Sequence, residues 1–188
     1  MGATITIALP QVAVADSIIE SPAGRIIIPG QHLPEKRMDI DVAVVQQLLS
    51  AARAAAANAH APYSNFHVGA ALIMADDPEQ RIITGANVEN SSYGATICGE
   101  RSALTTASSL GFRALRYLAL STADSLTSPL CDRSPCGICR QSIREFISRS
   151  SNASEALILV DTAEPGTLCE AFDIDRLLPY GFNFAPPV

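Results

Sequence analysis

Cys98-Gly99-Glu100-Arg101 and Ser134-Pro135-Cys136-Gly137-Ile138-Cys139-Arg140-Gln141 are the two stretches that decide this chain. Pro135 suits the first position of a helix, so Cys136 and Cys139, three apart, share one face of its first turn. A lone C-x-x-C is ambiguous among a metal site, a redox dithiol and coincidence. Cys98 supplies a third sulfur. Cys98 and Glu100 are two apart, and residues at that spacing share no helix face; they converge only beyond an N-terminal end, where Cα–Cβ bonds tilt. Two helix N-termini aimed at one point then gather three sulfurs and one carboxylate. Three protein ligands leave a fourth tetrahedral position for water, the arrangement of a catalytic zinc. The excess negative charge of three thiolates is offset by two helix N-termini, each worth roughly +0.5 charge, and by Arg101 and Arg140 nearby. The competing reading is a structural zinc, with Glu100 an ordinary helix-start carboxylate.

Outward from these stretches the apolar pattern gives an α/β order. Asp39 caps a helix running to about Asn58, with Val42, Val45, Leu48, Leu49 and Ala52 on one stripe, and its Ala54–Ala57 run is slim enough for close packing. Val68–Ala75 and Arg81–Glu89 read as a hairpin turning at Asp76-Asp77-Pro78. Cys98–Leu110 is a helix stopped by Gly111; Leu115–Ser121 is a strand, Pro135–Ser148 a helix and Ala156–Val160 a strand. The expected product is a sheet with helices on its faces. On the 81–89 strand, Asn87 and Glu89 alternate so as to point from the same side.

Five cysteines in 188 residues, an odd number, argue against a disulfide framework and for thiolates used as ligands. Cys131 and Cys169 match no ligand position and read as structural thiols. No apolar run reaches the ~18–20 residues of a spanning helix. One lysine, Lys36, and scattered arginines exclude a sequence-independent nucleic-acid binder. Residues 1–37 carry three acids (Asp16, Glu20, Glu35) and three bases (Arg25, Lys36, Arg37), so the net charge of −6 belongs wholly to residues 38–188. This divides the chain into an N-terminal extension, 1–37, and an acidic domain, 38–188. In the extension, Ile18-Ile19 and Ile26-Ile27-Ile28 flank Ser21-Pro22-Ala23-Gly24 as a small hairpin, and Met1–Thr6 fits a myristoylation pattern. The expected compartment is the cytoplasm.

The two cysteine stretches resemble those of the zinc-dependent cytidine deaminases. So do Pro62-Tyr63-Ser64-Asn65-Phe66, Asn87-Val88-Glu89-Asn90, Ser91-Ser92-Tyr93-Gly94 and Leu177-Leu178-Pro179-Tyr180-Gly181-Phe182, and the resemblance runs from Met38 to Phe184. It implies a three-layer α/β/α fold with a mixed sheet and zinc ligands at two helix N-termini. It implies one zinc per subunit on Cys98, Cys136 and Cys139, and Glu100 as a proton shuttle that is not itself a ligand. Asn87 and Glu89 would hold the ribose hydroxyls, and Phe66 would wall the pyrimidine. The Gly99 N–H and the Ser134 carbonyl would read the cytosine edge, with Arg101 neutralising the cluster. Tyr93 and Phe182 would complete a neighbour's site in a homotetramer. The implied reaction is hydrolysis of cytidine and deoxycytidine in pyrimidine salvage. The rivals are a deaminase of a blasticidin-type nucleoside antibiotic and a non-catalytic zinc scaffold. Gly99 departs from the family's usual Ala, which loosens the helix start.

Overall fold

The computed structural model describes residues 3–148 and 155–184, so Gly2 of the myristoylation pattern lies outside the described residues. Six short strands open the chain: β1 Thr4–Leu9, β2 Val12–Val14, β3 Ser17–Ser21, β4 Gly24–Ile28, β5 Gln31–Leu33 and β6 Lys36–Asp41. They pair antiparallel as β1 with β6, β2 with β5 and β3 with β4. The predicted hairpin is the β3–β4 ribbon, where Ile18 faces Ile27 and Ile19 faces Ile26. All five of its isoleucines are exposed, between 49% and 57%.

Helix α1, Val42–Ala56, follows β6 directly. Its N-cap is Asp41, which accepts from the Ala43 N–H at 2.8 Å, not the expected Asp39. Asp39 is instead consumed by β6: it pairs with Thr6, whose hydroxyl donates to it at 2.5 Å. The pairing of β6 with β1 therefore crosses the 37/38 boundary, and Leu9, Met38 and Ile40 are buried together under α1. Arg176 ties the extension down by donating to the Pro10 and Pro34 carbonyls, and Lys36 pairs with Asp173 at 2.9 Å.

The remaining strands are β7 Val68–Met74, β8 Ile83–Ala86, β9 Leu115–Thr122, β10 Leu157–Asp161 and β11 Cys169–Phe172, ordered β11-β10-β9-β7-β8 in one sheet. Only the β9–β10 pair is parallel, so the sheet is mixed. Helices α2 Gly99–Ser109, α3 Leu130–Arg133, α4 Gly137–Ser148 and α5 Ile174–Leu177 complete the described elements. Alternation sorts the sheet's two faces. Val68, Ala70, Leu72, Leu118, Leu120 and Ile158 pack with Ala103 and Leu104 of α2 and Ile143 of α4. Ala71, Ile73, Ala119, Leu157 and Leu159 pack with α1. This is the three-layer α/β/α arrangement that the resemblance implied, and burial on both faces explains why β7 reads as a continuous apolar run.

Two local expectations differ, and three elements were not expected. Strand β8 ends at Ala86, because Val88 turns away to bridge His60 and Ile97. Helix α4 begins at Gly137 with Pro135 outside it. Strand β11 and the four-residue helices α3 and α5 carry too little periodicity to announce themselves.

Candidate active site

Cys98 and Cys136 occupy equivalent positions on two helices. Cys98 is the N-cap of α2, its carbonyl accepting from Ser102, and the Cys136 carbonyl accepts from Arg140 at the start of α4. A residue in that position projects its side chain past the helix end, toward the partly positive N–H groups. The Cys98 and Cys136 sulfurs are 3.9 Å apart, and those of Cys98, Cys136 and Cys139 all lie within 4.8 Å of one another. A tetrahedral zinc with ~2.3 Å bonds to sulfur separates its ligands by about 3.8 Å, so these sulfurs fit one ion. The donor chemistry fits as well. Cys139 hydrogen-bonds to Cys98 and draws its thiol down to about 6; burial opposes this, while Cys136 and the Arg101 guanidinium assist. The same bond, with burial, pushes the Cys139 thiol up.

Glu100 stands one residue into α2 and is 3% exposed. Burial pushes its carboxyl up to about 7, and the neighbouring Cys98 adds to this, against its own backbone N–H, Cys139 and Arg101. Gly99 is buried between them, and a Cβ there would meet the Val68 carbonyl oxygen at 2.9 Å. Strand β7 thus passes too close for the family's usual Ala without a backbone shift.

Asn87 and Glu89 are both buried, although they lie beyond the end of β8. Asn87 accepts from the Val68 N–H and donates to the Phe66 carbonyl, each at 2.8 Å. Glu89 accepts from the N–H groups of Tyr63 and Ser64 and from the Ser64 hydroxyl, which holds its carboxyl below the usual range. Both residues therefore build the loop before β7 as well as facing the site. The Arg140 guanidinium, expected beside the cluster as a counter-charge, is committed to the Pro135 and Leu177 carbonyls and the Ser134 hydroxyl.

A cavity of about 220 Å³ brings Phe66, Asn87, Glu89, Cys98, Glu100, Ser134 and Cys136 together. It also takes in Ser64, Thr96, Thr122, Asp132 and Arg133, which sequence reasoning had not marked. Ser64 lies within the Pro62–Phe66 stretch; Arg133 has no motif to flag it. Tyr93 and Phe182 lie outside this cavity, at 62% and 69% exposure, and Tyr93 stacks at a tilt on Tyr63, 6.0 Å between centroids.

A mixed sheet presenting a three-cysteine cluster and a buried carboxylate at two helix N-termini defines a zinc hydrolase of the deaminase type. Comparison with known proteins agrees. The cytidine and deoxycytidylate deaminase zinc-binding region matches residues 43–171, and the chain belongs to that family. A probable cytidine deaminase of Dictyostelium discoideum is 43% identical over 104 residues, which are 54% of this chain and 65% of that protein. The cytidine deaminase of Sporosarcina psychrophila is 43% identical over 106 residues, 56% of this chain and 72% of the relative. Among solved structures, cytidine deaminase from Burkholderia pseudomallei is similar with a TM-score of 0.60 and 33% identity, over 73% of this chain and 98% of that one.

Proposed function

We propose that this protein hydrolyses cytidine and deoxycytidine to uridine and deoxyuridine with release of ammonia, as a step of pyrimidine salvage. One observation carries the reading: a single cavity is lined both by Cys98, Cys136 and Glu100 and by Phe66, Asn87 and Glu89. Cys98, Cys136 and Cys139 would hold a zinc ion, which would act as a Lewis acid lowering the pKa of water toward neutrality. Glu100 takes the proton that water gives up and delivers it to N3 of cytosine while the water oxygen bonds to C4. Glu100 then carries the second proton of that water to the exocyclic amine. The C4–N bond breaks, ammonia leaves, and the C4 carbonyl of uracil remains.

Asn87 and Glu89 hold the ribose hydroxyls, Phe66 walls the pyrimidine, and the Gly99 N–H and Ser134 carbonyl read its edge. Arg101 offsets the thiolates. Glu89, kept as a carboxylate, disfavours a 5′-phosphate, so a nucleoside is preferred to a nucleotide. The working form is a homotetramer in which Tyr93 and Phe182 complete a neighbour's site; their exposure, with that of Tyr63 and Ile138, supports this. Five free cysteines agree with the reducing cytoplasm.

Ammonia release is measured with cytidine, deoxycytidine, CMP and blasticidin S. The first two are expected to react and the last two to react poorly. Blasticidin S turned over faster than cytidine, or CMP used as well as cytidine, defeats the assignment. Glu100→Ala is expected to keep zinc and fold while turnover falls by at least ~10²–10⁴-fold; retained turnover removes Glu100 from the mechanism.

A further inference from the structure

The three zinc-ligating cysteines are not held alike. Cys139 is buried in the first turn of α4, and Cys98 is the half-buried cap of α2, beside Gly99, which packs against β7. Cys136 is exposed and lies on the three-residue turn, residues 134–136, between α3 and α4. The turn is fastened at its entry by the Ser134 N–H donating to the Leu130 carbonyl at 2.8 Å. At its exit the Cys136 carbonyl accepts from Arg140 N–H at 2.9 Å. Between them stands Pro135, which has no N–H, so its buried carbonyl is its only backbone hydrogen-bonding group. That carbonyl accepts from Arg140 Nε at 2.7 Å. The same guanidinium donates through Nη2 to the Ser134 hydroxyl at 3.0 Å and through Nη1 to the Leu177 carbonyl, the end of α5, at 2.8 Å. A planar fork with fixed donor directions meets three neutral acceptors on three sides, which an ammonium cannot copy.

We propose that Arg140 is the positioning residue for the Cys136 turn: it locks Ser134 and Pro135 against α4 and α5 and so keeps the Cys136 sulfur in register with those of Cys98 and Cys139. Arg140 acts through the turn and touches neither substrate nor sulfur. The proposal rests on the zinc reading of the three cysteines, and the two are tested separately. Cys98→Ser tests the zinc reading: it is expected to abolish tight binding of one zinc.

Arg140 is tested by competing zinc from the full-length protein with a chromogenic chelator, and by the absorption of the cobalt(II)-loaded protein. Arg140→Gln is expected to bind zinc about 10–100-fold more weakly than wild type, with altered sulfur-to-cobalt bands. Arg144→Gln is the control. Arg144 is one turn further along α4 and bonds Asn183 and Asp175, away from the turn. It is expected to lower the melting temperature while leaving zinc affinity and the cobalt spectrum unchanged. Should Arg140→Gln not fold, Arg140→Lys keeps the charge without the fork and is expected to weaken zinc binding about tenfold. Zinc affinity within twofold of wild type in the folded Arg140 variant overturns the proposal. So does an equal loss in Arg144→Gln. A wild-type protein that binds no zinc overturns the site reading and this proposal with it.

Discussion

Glu89 has three hydrogen bonds in place before any ligand arrives, two from backbone N–H groups and one from the Ser64 hydroxyl. The Ser64 hydroxyl is the strongest influence holding its carboxyl below the usual value of 4.5. A carboxyl depressed by folding stabilises the fold at pH above that usual value, and the contribution fades as pH falls through the depressed one. Ser64→Ala is therefore expected to lower stability at pH 7 and to flatten its acid dependence, measured by urea unfolding between pH 3 and 7. An unchanged acid limb removes Ser64 from the account. The i, i+2 spacing of Asn87 and Glu89 was legible in the sequence; both line the cavity, but from beyond the end of β8 and not from the strand expected to carry them. Their second duty was not legible. Asn87 joins Phe66 to Val68 and Glu89 caps Tyr63 and Ser64, contacts made across some twenty residues or more that local pattern does not encode.

Helix placement, at the next scale, depends on two glycines where the sheet meets its helices. A Cβ at Gly69 would lie 2.0 Å from the Ala52 carbonyl oxygen of α1, and one at Gly85 would lie 2.3 Å from the Ala103 backbone nitrogen of α2. Small residues on both sides bring backbone against backbone. The slim alanine run of α1 was readable from sequence, and its contact with Gly69 bears that reading out. Gly85 gave no such signal, because its consequence appears on another element. Gly85→Ala must push α2 outward, and α2 carries Cys98 and Glu100. The expected result is a loss of about 1–3 kcal/mol in stability together with weaker zinc retention. Equilibrium unfolding and dialysis against a chelator measure the two. Stability lost with zinc fully retained would show that α2 yields without moving its N-terminus. Helices on the faces of a sheet and two helix N-termini aimed at one point were foreseeable from the motif-bearing segments; the strand order was not, and α4 starts at Gly137 rather than at Pro135. The exact start of α1 was not foreseeable either, since whether Asp39 or Asp41 caps it depends on pairing with residues 4–9.

For the whole molecule, the division at 37/38 follows charge, and hydrogen bonding does not respect it. Strand β6 straddles that point, and Leu9, 6% exposed, is buried beside Met38 and Ile40. A chain beginning at Met38 loses the partner of β6 and the Lys36–Asp173 pair, and with Leu9 alone forfeits about 1.5–3 kcal/mol of burial. Its melting temperature is expected to fall well below that of the full chain; equal melting would make β1 dispensable. The outer part of the extension answers to different physics. The β3–β4 ribbon pairs with no other strand among the described residues, and it shows isoleucine on both faces, joined by an exposed Glu20–Arg25 bridge.

Two open strand edges bearing apolar side chains are a template for adding further strands from other molecules. What opposes strand pairing between the ribbons of different molecules is then long-range repulsion from the net charge of −6, none of it contributed by residues 1–37. That repulsion shrinks as pH approaches the isoelectric point near 5.0 and is screened by salt. Colloidal behaviour of this protein is therefore governed by a ribbon that contributes no residue to the lining of the site cavity. Light scattering should rise toward pH 5 and with added salt, and Ile19→Lys with Ile27→Lys should abolish the rise while leaving the zinc site intact.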